Sequence, residues 1–378
     1  MPNLSVIQAA LARAVTDGVF PGAVLAVRCG NRPVSRFHAG HLSTVPPGSP
    51  VSPSTIYDLA SLTKPLATVT ALVLLMQKGH CQLDDYVADH LSECADTFIG
   101  SATIRHLLTH SSGLPGWRGF YEQLRPDGVI PSSAGERAQA KGAMLSLIRS
   151  EASVYERGTR SLYSDLGFMV LGFIIERISG QSMSEYFLEH IACPLGKPRM
   201  GFILPGQHRA LSNSLDADMG GVAPTEIDRW RGHLLCGEVH DQNAAVLGGE
   251  AGHAGLFGTV DAVLAISGEW LGAYHGQVTI LDRVMVHEFT RRQKLEGSSS
   301  WALGWDTPSV PSSAGCHFAA QSFGHLGYTG TSLWIDPMRE LEVVLLSNRV
   351  HPSSRNEAIR EFRPAIHDLV YQEFIGSI

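Results

Sequence analysis

Ser61 and Lys64 stand three residues apart in Ser61-Leu62-Thr63-Lys64, a spacing that returns both side chains to one face of a helix. A serine hydroxyl is a weak nucleophile until a base takes its proton, and an unprotonated amine one turn away can do so. If Ser61 caps the helix, the positive helix end and burial would both lower the lysine pKa and free its lone pair. Pro65 falls in the first turn, where a missing N–H costs least. The same four residues also describe a serine N-cap followed by a solvated lysine, so the rest of the chain must decide. Two further groups carry chemistry. Tyr163 precedes a Ser164-Asp165 pair suited to capping a helix, and His325-Leu326-Gly327 lies in a strand-like tail segment.

These residues need elements to hold them. Thr55 to Ala60 reads as a strand, and Leu66 to Met76 is apolar on nearly all sides, as a buried central helix would be. Leu4, Ile7, Leu11 and Val15 predict an opening amphipathic helix, followed by a hairpin of 22–28 and 34–39, then a Gly, Pro and Ser-rich loop to Ser54. The segment 103–116 begins as a helix and breaks into a loop, residues 121–142 read as a mobile polar surface loop, and 166–178 is a second apolar helix. The stretch 201–258, rich in Gly, His and Asp, has no clear period, and 261–274 returns to helix. Strand signals at 323–328, 332–336 and 341–347 precede a helical pattern over 355–374.

Strands thus sit at both ends of the chain and helices between. The expected fold is α+β: one antiparallel sheet built from residues 1–68 and 295–378, flanked by the N- and C-terminal helices, with 69–294 inserted as a mostly helical domain. The active site is expected in the cleft between them.

Composition narrows the function. With 378 residues, 44% hydrophobic and 17% charged, the chain can bury a large core. A net charge of −7 without a long basic run disfavours nucleic acid. No stretch reaches membrane-spanning length, and the N-terminus lacks the basic and apolar regions of a secretory signal, so a cytoplasmic location and no membrane partner are expected. Cysteines at 29, 81, 94, 193, 236 and 316 lack any C-x-x-C spacing, which suits free thiols.

Ser61-Leu62-Thr63-Lys64, Tyr163-Ser164-Asp165 and His325-Leu326-Gly327, in that order, resemble the serine β-lactamase and penicillin-binding-protein superfamily, in particular its class C-like branch of lactamases, D-alanyl peptidases and esterases. The segments 105–114, 158–164 and 330–337 are similar to that branch as well, and the likeness runs over about residues 18 to 375. It implies a β-lactamase/transpeptidase-like fold and an acyl-enzyme mechanism without cofactor or metal. Ser61 would be the nucleophile, Lys64 its proton acceptor or electrostatic partner, and Tyr163 a second base with its pKa lowered by the lysine. The backbone N–H groups of Ser61 and Tyr328 would form the oxyanion hole.

Two positions depart from the pattern. Asp165 stands where that branch has asparagine, adding a charge that can pair with Lys64 and keep it protonated. His325 stands where lactamases have lysine, replacing a fixed cation by a group charged at mildly acidic pH. Asp165, His325, Gly327, His253 and Asn243 are the candidate substrate-binding residues. His240-Asp241 and His253 offer metal-ligand types, but without a third placed ligand they read as structural or cleft-lining histidines. Segments around them, including 248–256, are similar to a subgroup with muramoyl-L-alanine amidases of cell-wall recycling. The expected activity is therefore hydrolysis of a small-molecule amide or ester, such as a muropeptide. A broad carboxylesterase, a β-lactamase and a ligand sensor with a weak site stand as alternatives, and oligomeric state is open.

Overall fold

The computed structural model describes residues 4–44, 48–205, 221–295 and 299–376. Residues 45–47 of the expected loop and 206–220 of the unassigned stretch lie outside these. In chain order the strands are β1 (Gly22–Cys29), β2 (Ser35–Gly40), β3 (Tyr57–Asp58), β4 (Met200–Phe202), β5 (Ile227–Asp228), β6 (His233–Leu234), β7 (Leu256–Gly258), β8 (Phe323–Leu326), β9 (Ser332–Asp336) and β10 (Leu341–Ser347).

β1 is buried on both faces, so its Ala-Val-Leu-Ala-Val run needs partners on both edges and cover above and below. It finds the edges in β2 and β10, with Leu25 opposite Leu345, and the five-stranded antiparallel sheet runs β2-β1-β10-β9-β8. On one face Leu25, Val27, Val343 and Leu345 pack with Ile7 and Leu11 of the helix Leu4–Thr16 and with Ile366 and Val370 of the helix Ile359–Ile375. Val24, Ala26, Val344 and Leu346 face the other way, into the larger core that holds the helices Thr70–Gln77, Asp165–Ser179 and Val260–Tyr274. The predicted joining of the two chain ends in one sheet is what the structure has, and β8 is left as its edge beside the central helices.

Three local expectations need correction. Residues 121–142 are largely helical: Phe120–Leu124 and Ala134–Arg149 are helices, and the second opens on a capping box in which Ser133 and Glu136 bond each other's backbone N–H. Thr55 to Ala60 contributes only the two residues of β3, which pair with β7 in a small separate sheet β3-β7-β4. Ser61 is no N-cap. It lies inside a single 3-10 turn, Ala60–Leu62, which runs into a π-helical turn, Lys64–Val69, before the α-helix Thr70–Gln77 begins.

Candidate active site

The turn that carries Ser61 is held from three sides. Ala60 sits at φ +47, a left-handed conformation that a residue with a Cβ seldom adopts, so its neighbours must impose it. The Asp58 carboxylate, at the end of β3, accepts the Ala60 N–H at 2.8 Å and the His240 N–H at 2.7 Å. The Thr63 hydroxyl donates to the Ala60 carbonyl at 2.6 Å and accepts the Leu256 N–H at 3.1 Å.

Lys64 is fully buried. Its three N–H bonds find three acceptors: Ser61 Oγ at 3.1 Å, Asp165 Oδ1 at 2.6 Å and the His253 carbonyl at 3.1 Å. Burial pulls the ammonium pKa down, but the Asp165 carboxylate and the Tyr163 phenol outweigh it and hold the pKa above its ordinary value. The expectation of a lowered lysine pKa is therefore overturned, for the reason already visible in the Asp165 substitution. Tyr163 moves the opposite way from the expectation too: burial raises its pKa, and the nearby Lys64 opposes this without cancelling it.

Asp165 owes its position to a cap. The Ser164 hydroxyl accepts the Gly167 N–H at 3.3 Å and donates to the Pro115 carbonyl at 2.8 Å, while the Asp165 N–H reaches the Gly116 carbonyl at 2.8 Å. His110 Nδ1 accepts the Ser164 N–H at 3.0 Å, and its ring stacks near Tyr163, centroids 4.6 Å apart. The 109–116 loop thus holds the second motif.

The third motif ends β8 and enters a turn. His325 Nδ1 lies 2.7 Å from the Leu326 carbonyl, so Nδ1 carries the proton and Nε2 is left as an acceptor. Burial, with Lys64 and Arg363 nearby, pushes the His325 pKa down to about 3. The expected titration at mildly acidic pH is corrected: His325 is neutral there. A Cβ on Gly327 would meet Thr331 Oγ1 at 2.0 Å and the Leu59 carbonyl at 2.6 Å, so only glycine lets the turn close on the segment that carries Ser61. Thr329 and Thr331 donate hydroxyls to the Asp58 and Leu59 carbonyls at 2.7 and 3.0 Å. From behind, Arg363 donates to the Gly327 and Thr331 carbonyls and Arg349 to that of Tyr328. The two segments whose N–H groups are the oxyanion candidates, at Ser61 and Tyr328, are tied to each other directly.

A cavity of about 670 Å³ brings together Ser61, Tyr163, Asp165, His253, His325, Gly327 and Tyr328. A larger one of about 830 Å³, around His41 and Asn356, contains none of them. Asn243 is absent from the first cavity and fully buried; its amide donates to the Arg118 carbonyl at 2.8 Å and accepts the Tyr121 N–H at 3.1 Å. Its expected role in substrate binding gives way to a structural one, because both ends of the amide are committed to backbone.

His240 and His253, read from the sequence as structural or cleft-lining, both line the cavity and are paired with acids, His240 with Glu226 at 2.9 Å and His253 with Asp241 at 2.8 Å. Glu226, Trp301, Asp306, Arg349 and Arg363 line it as well and were passed over in the sequence reading. The repeated pairing of histidine with acid was a usable signal in Glu226 and 238–253. Asp306 and Arg349 offered none, since the Ser61 and Tyr163 motifs with which they share the cavity are far off in the chain. Among the described residues, Cys316, His317 and Asp368 bring three metal-ligand types within 4.8 Å of one another, outside this cavity.

The chain matches the family described as Beta-lactamase over residues 7–365. A protein of Escherichia coli K12 named "Putative D-alanyl-D-alanine carboxypeptidase" is 33% identical over 317 residues, 79% of this chain and 70% of the relative. A Salmonella typhi protein of the same name is 32% identical over 324 residues, covering 81% and 72%. Among solved structures, EstCE1, a hydrolase with promiscuous acyltransferase activity, superposes with a TM-score of 0.74 at 21% identity, covering 97% of this chain and 98% of its own. The octameric penicillin-binding protein homologue from Pyrococcus abyssi gives 0.73 at 21% identity, covering 99% and 78%.

Proposed function

Because the chain belongs to the β-lactamase family, whose members of this fold are serine hydrolases, we propose that Ser61 is acylated by an amide or ester of a small cell-wall-derived molecule, in the manner of a muramoyl-L-alanine amidase. The observation that carries the chemistry is Lys64 Nζ, held between Ser61 Oγ at 3.1 Å and Asp165 Oδ1 at 2.6 Å. Lys64 rests as an ammonium and cannot take a proton without giving one up. Asp165 supplies the sink: as Ser61 Oγ attacks the carbonyl carbon, its proton passes to Nζ and a lysine proton passes to the carboxylate. The tetrahedral oxyanion is met by the N–H groups of Ser61 and Tyr328. Tyr163 gives its proton to the departing amine or alcohol and regains one from Lys64. Water then repeats the sequence on the acyl-enzyme.

The absence of a cation at His325 supports a substrate other than a β-lactam. A D-alanyl-D-alanine carboxypeptidase activity, as in the relatives' name, is the second reading. It is favoured by Arg349, Arg360 and Arg363 at the cavity, which could receive a terminal carboxylate.

A fluorophosphonate probe is expected to label Ser61, and Ser61→Ala to abolish both labelling and turnover. Labelling elsewhere, with full activity in the variant, removes the mechanism. The substrate is decided by kcat/KM for a muramoyl-L-alanine amide, a D-alanyl-D-alanine peptide, a short nitrophenyl ester and nitrocefin on one preparation. A lead by nitrocefin overturns the substrate assignment.

A further inference from the structure

Asp306 is the carboxylate in the cavity with no basic partner. It is placed by the backbone: its N–H and carbonyl pair with Gly324 at 2.8 and 2.9 Å, next to His325 on the edge strand β8. One oxygen, Oδ1, is fixed by the Ser300 hydroxyl at 2.6 Å and the Thr307 N–H at 2.9 Å. Among the described residues no lysine, arginine or histidine forms an ion pair with it. Arg292, the cation that acts on it from nearby, spends its Nε on the Thr307 hydroxyl at 2.7 Å and a further N–H on the Pro308 carbonyl. Burial, opposed by these bonds, raises the Asp306 pKa to about 6, as expected of a carboxylate still lacking a counter-ion.

The surroundings have one character. Trp301 lines the same cavity, and its ring lies 5.6 Å from His325 and 5.6 Å from Tyr163. Aromatic faces attract cations. His325, 2% exposed, lines the cavity as well, and its Nε2 is an acceptor without a hydrogen-bond partner among the described residues. Lys64 is already matched by Asp165, Arg349 and Arg363 give N–H groups to the Tyr328 and Gly327 carbonyls, and Arg360 pairs with Glu357 at 2.8 Å. A carboxylate, an indole face and a neutral imidazole acceptor make a receptor for a positively charged N–H donor.

We propose that the cavity wall formed by Asp306, Trp301 and His325 is a specificity site for an ammonium group, so that the substrate is an amino-bearing amide or ester. Which bond is then broken rests on the serine-hydrolase reading; the binding preference itself does not. At pH 7.5 Asp306 is ionised and pairs with the ammonium. Toward pH 5 it takes up a proton and the preference fades. In the same site His325 and the Tyr163 phenol stay neutral over that range and Lys64 stays charged, so Asp306 is what changes.

The test uses Ser61→Ala, which cannot turn over, titrated with 4-phenylbutylamine and its uncharged isostere 4-phenylbutanol. The amine is expected to bind about 10-fold or more tightly at pH 7.5, with the ratio shrinking at pH 5. Adding Asp306→Asn, which keeps an acceptor for Ser300 and Thr307, should bring the ratio close to one. Trp301→Leu should reduce it, and Trp301→Phe should retain most of it. Equal binding of the two ligands at pH 7.5, or a ratio indifferent to Asp306→Asn, overturns the proposal. Failure of the fluorophosphonate to label wild-type Ser61 would instead count against the hydrolase mechanism and leave this measurement intact.

Discussion

Lys64 and His325 are buried basic side chains of one site, and they end in opposite states. Burial penalises the charged form of each. Lys64 has Asp165 at 2.6 Å and stays charged, whereas His325 has a backbone carbonyl on one nitrogen, nothing on the other and two cations nearby, and is held neutral. Depth alone therefore does not set charge in this site; the partner does. One wall of the cavity is thereby an ion pair next to the nucleophile, and the facing wall is a set of acceptors awaiting a donor.

The contrast can be broken at either end. Lys64→Met removes the relay and should cost about two to four orders of magnitude in kcat, as loss of a general base does; a loss under about tenfold in single-turnover measurements would mean that Tyr163 acts alone. Asp165→Ala leaves a buried ammonium without its partner, and denaturant melts should show a loss of about 3–5 kcal/mol. The pH dependence should change sign as well. In wild type the raised Lys64 pKa gives stability that is fully present below the unfolded pKa and lost as pH rises through the folded one. In Asp165→Ala burial is opposed only by Tyr163 and pulls the pKa down, and stability should instead improve as pH rises toward that range.

For His325 the folded pKa of about 3 lies below the ordinary 6.5. Its contribution is complete above pH 6.5 and is lost as pH falls toward 3. His325→Gln should therefore recover about 2.5–3 kcal/mol relative to wild type between pH 7.5 and 4.5, read as a shallower fall of stability with acid. A pH–rate profile with an inflection near 6.5 that disappears in this variant would show that His325 does titrate. The smallest effect on activity is expected at Asn243, whose amide bonds are all internal. Asn243→Ala should cost about 1–3 kcal/mol of stability for its unpaired backbone partners and change KM for a small ester less than threefold. A KM rise of tenfold would return Asn243 to the substrate.

The sheet was legible because β1 and β10 carry unbroken apolar runs that no exposed position could tolerate, and because the hairpin turn at 29–32 is marked by Gly30 and Asn31. The helix Ala134–Arg149 was missed for the converse reason. Its outward face is polar and two glycines dilute the pattern, although Ser133 and Glu136 stand at capping-box spacing. Ser61, Lys64 and Tyr163 could be picked out by type and order. The pairing of Asp165 with Lys64, 101 residues apart, could be read from the departure at Asp165, but the neutral state of His325 could not, because Trp301 and Tyr163 pack against it from distant parts of the chain. The 3-10 and π turns around Ser61 were hidden as well: the Asp58 and Thr63 bonds that impose them look, in sequence, like ordinary polar residues in a strand and a helix.

The pairing of Gly22–Cys29 with Leu341–Ser347 also sets a schedule. During synthesis the first strand emerges with only the hairpin strand beside it and must wait for more than three hundred further residues before its other edge is covered. At roughly 5–20 residues per second that interval lasts tens of seconds, during which an apolar strand has an open flank. Ser61 emerges well before the turn carrying Tyr328, to which its own turn is bolted. A nascent chain therefore carries Ser61 through more than two hundred and fifty residues of synthesis without the segment that completes its site, and premature termination before residue 331 should yield an inert, association-prone fragment.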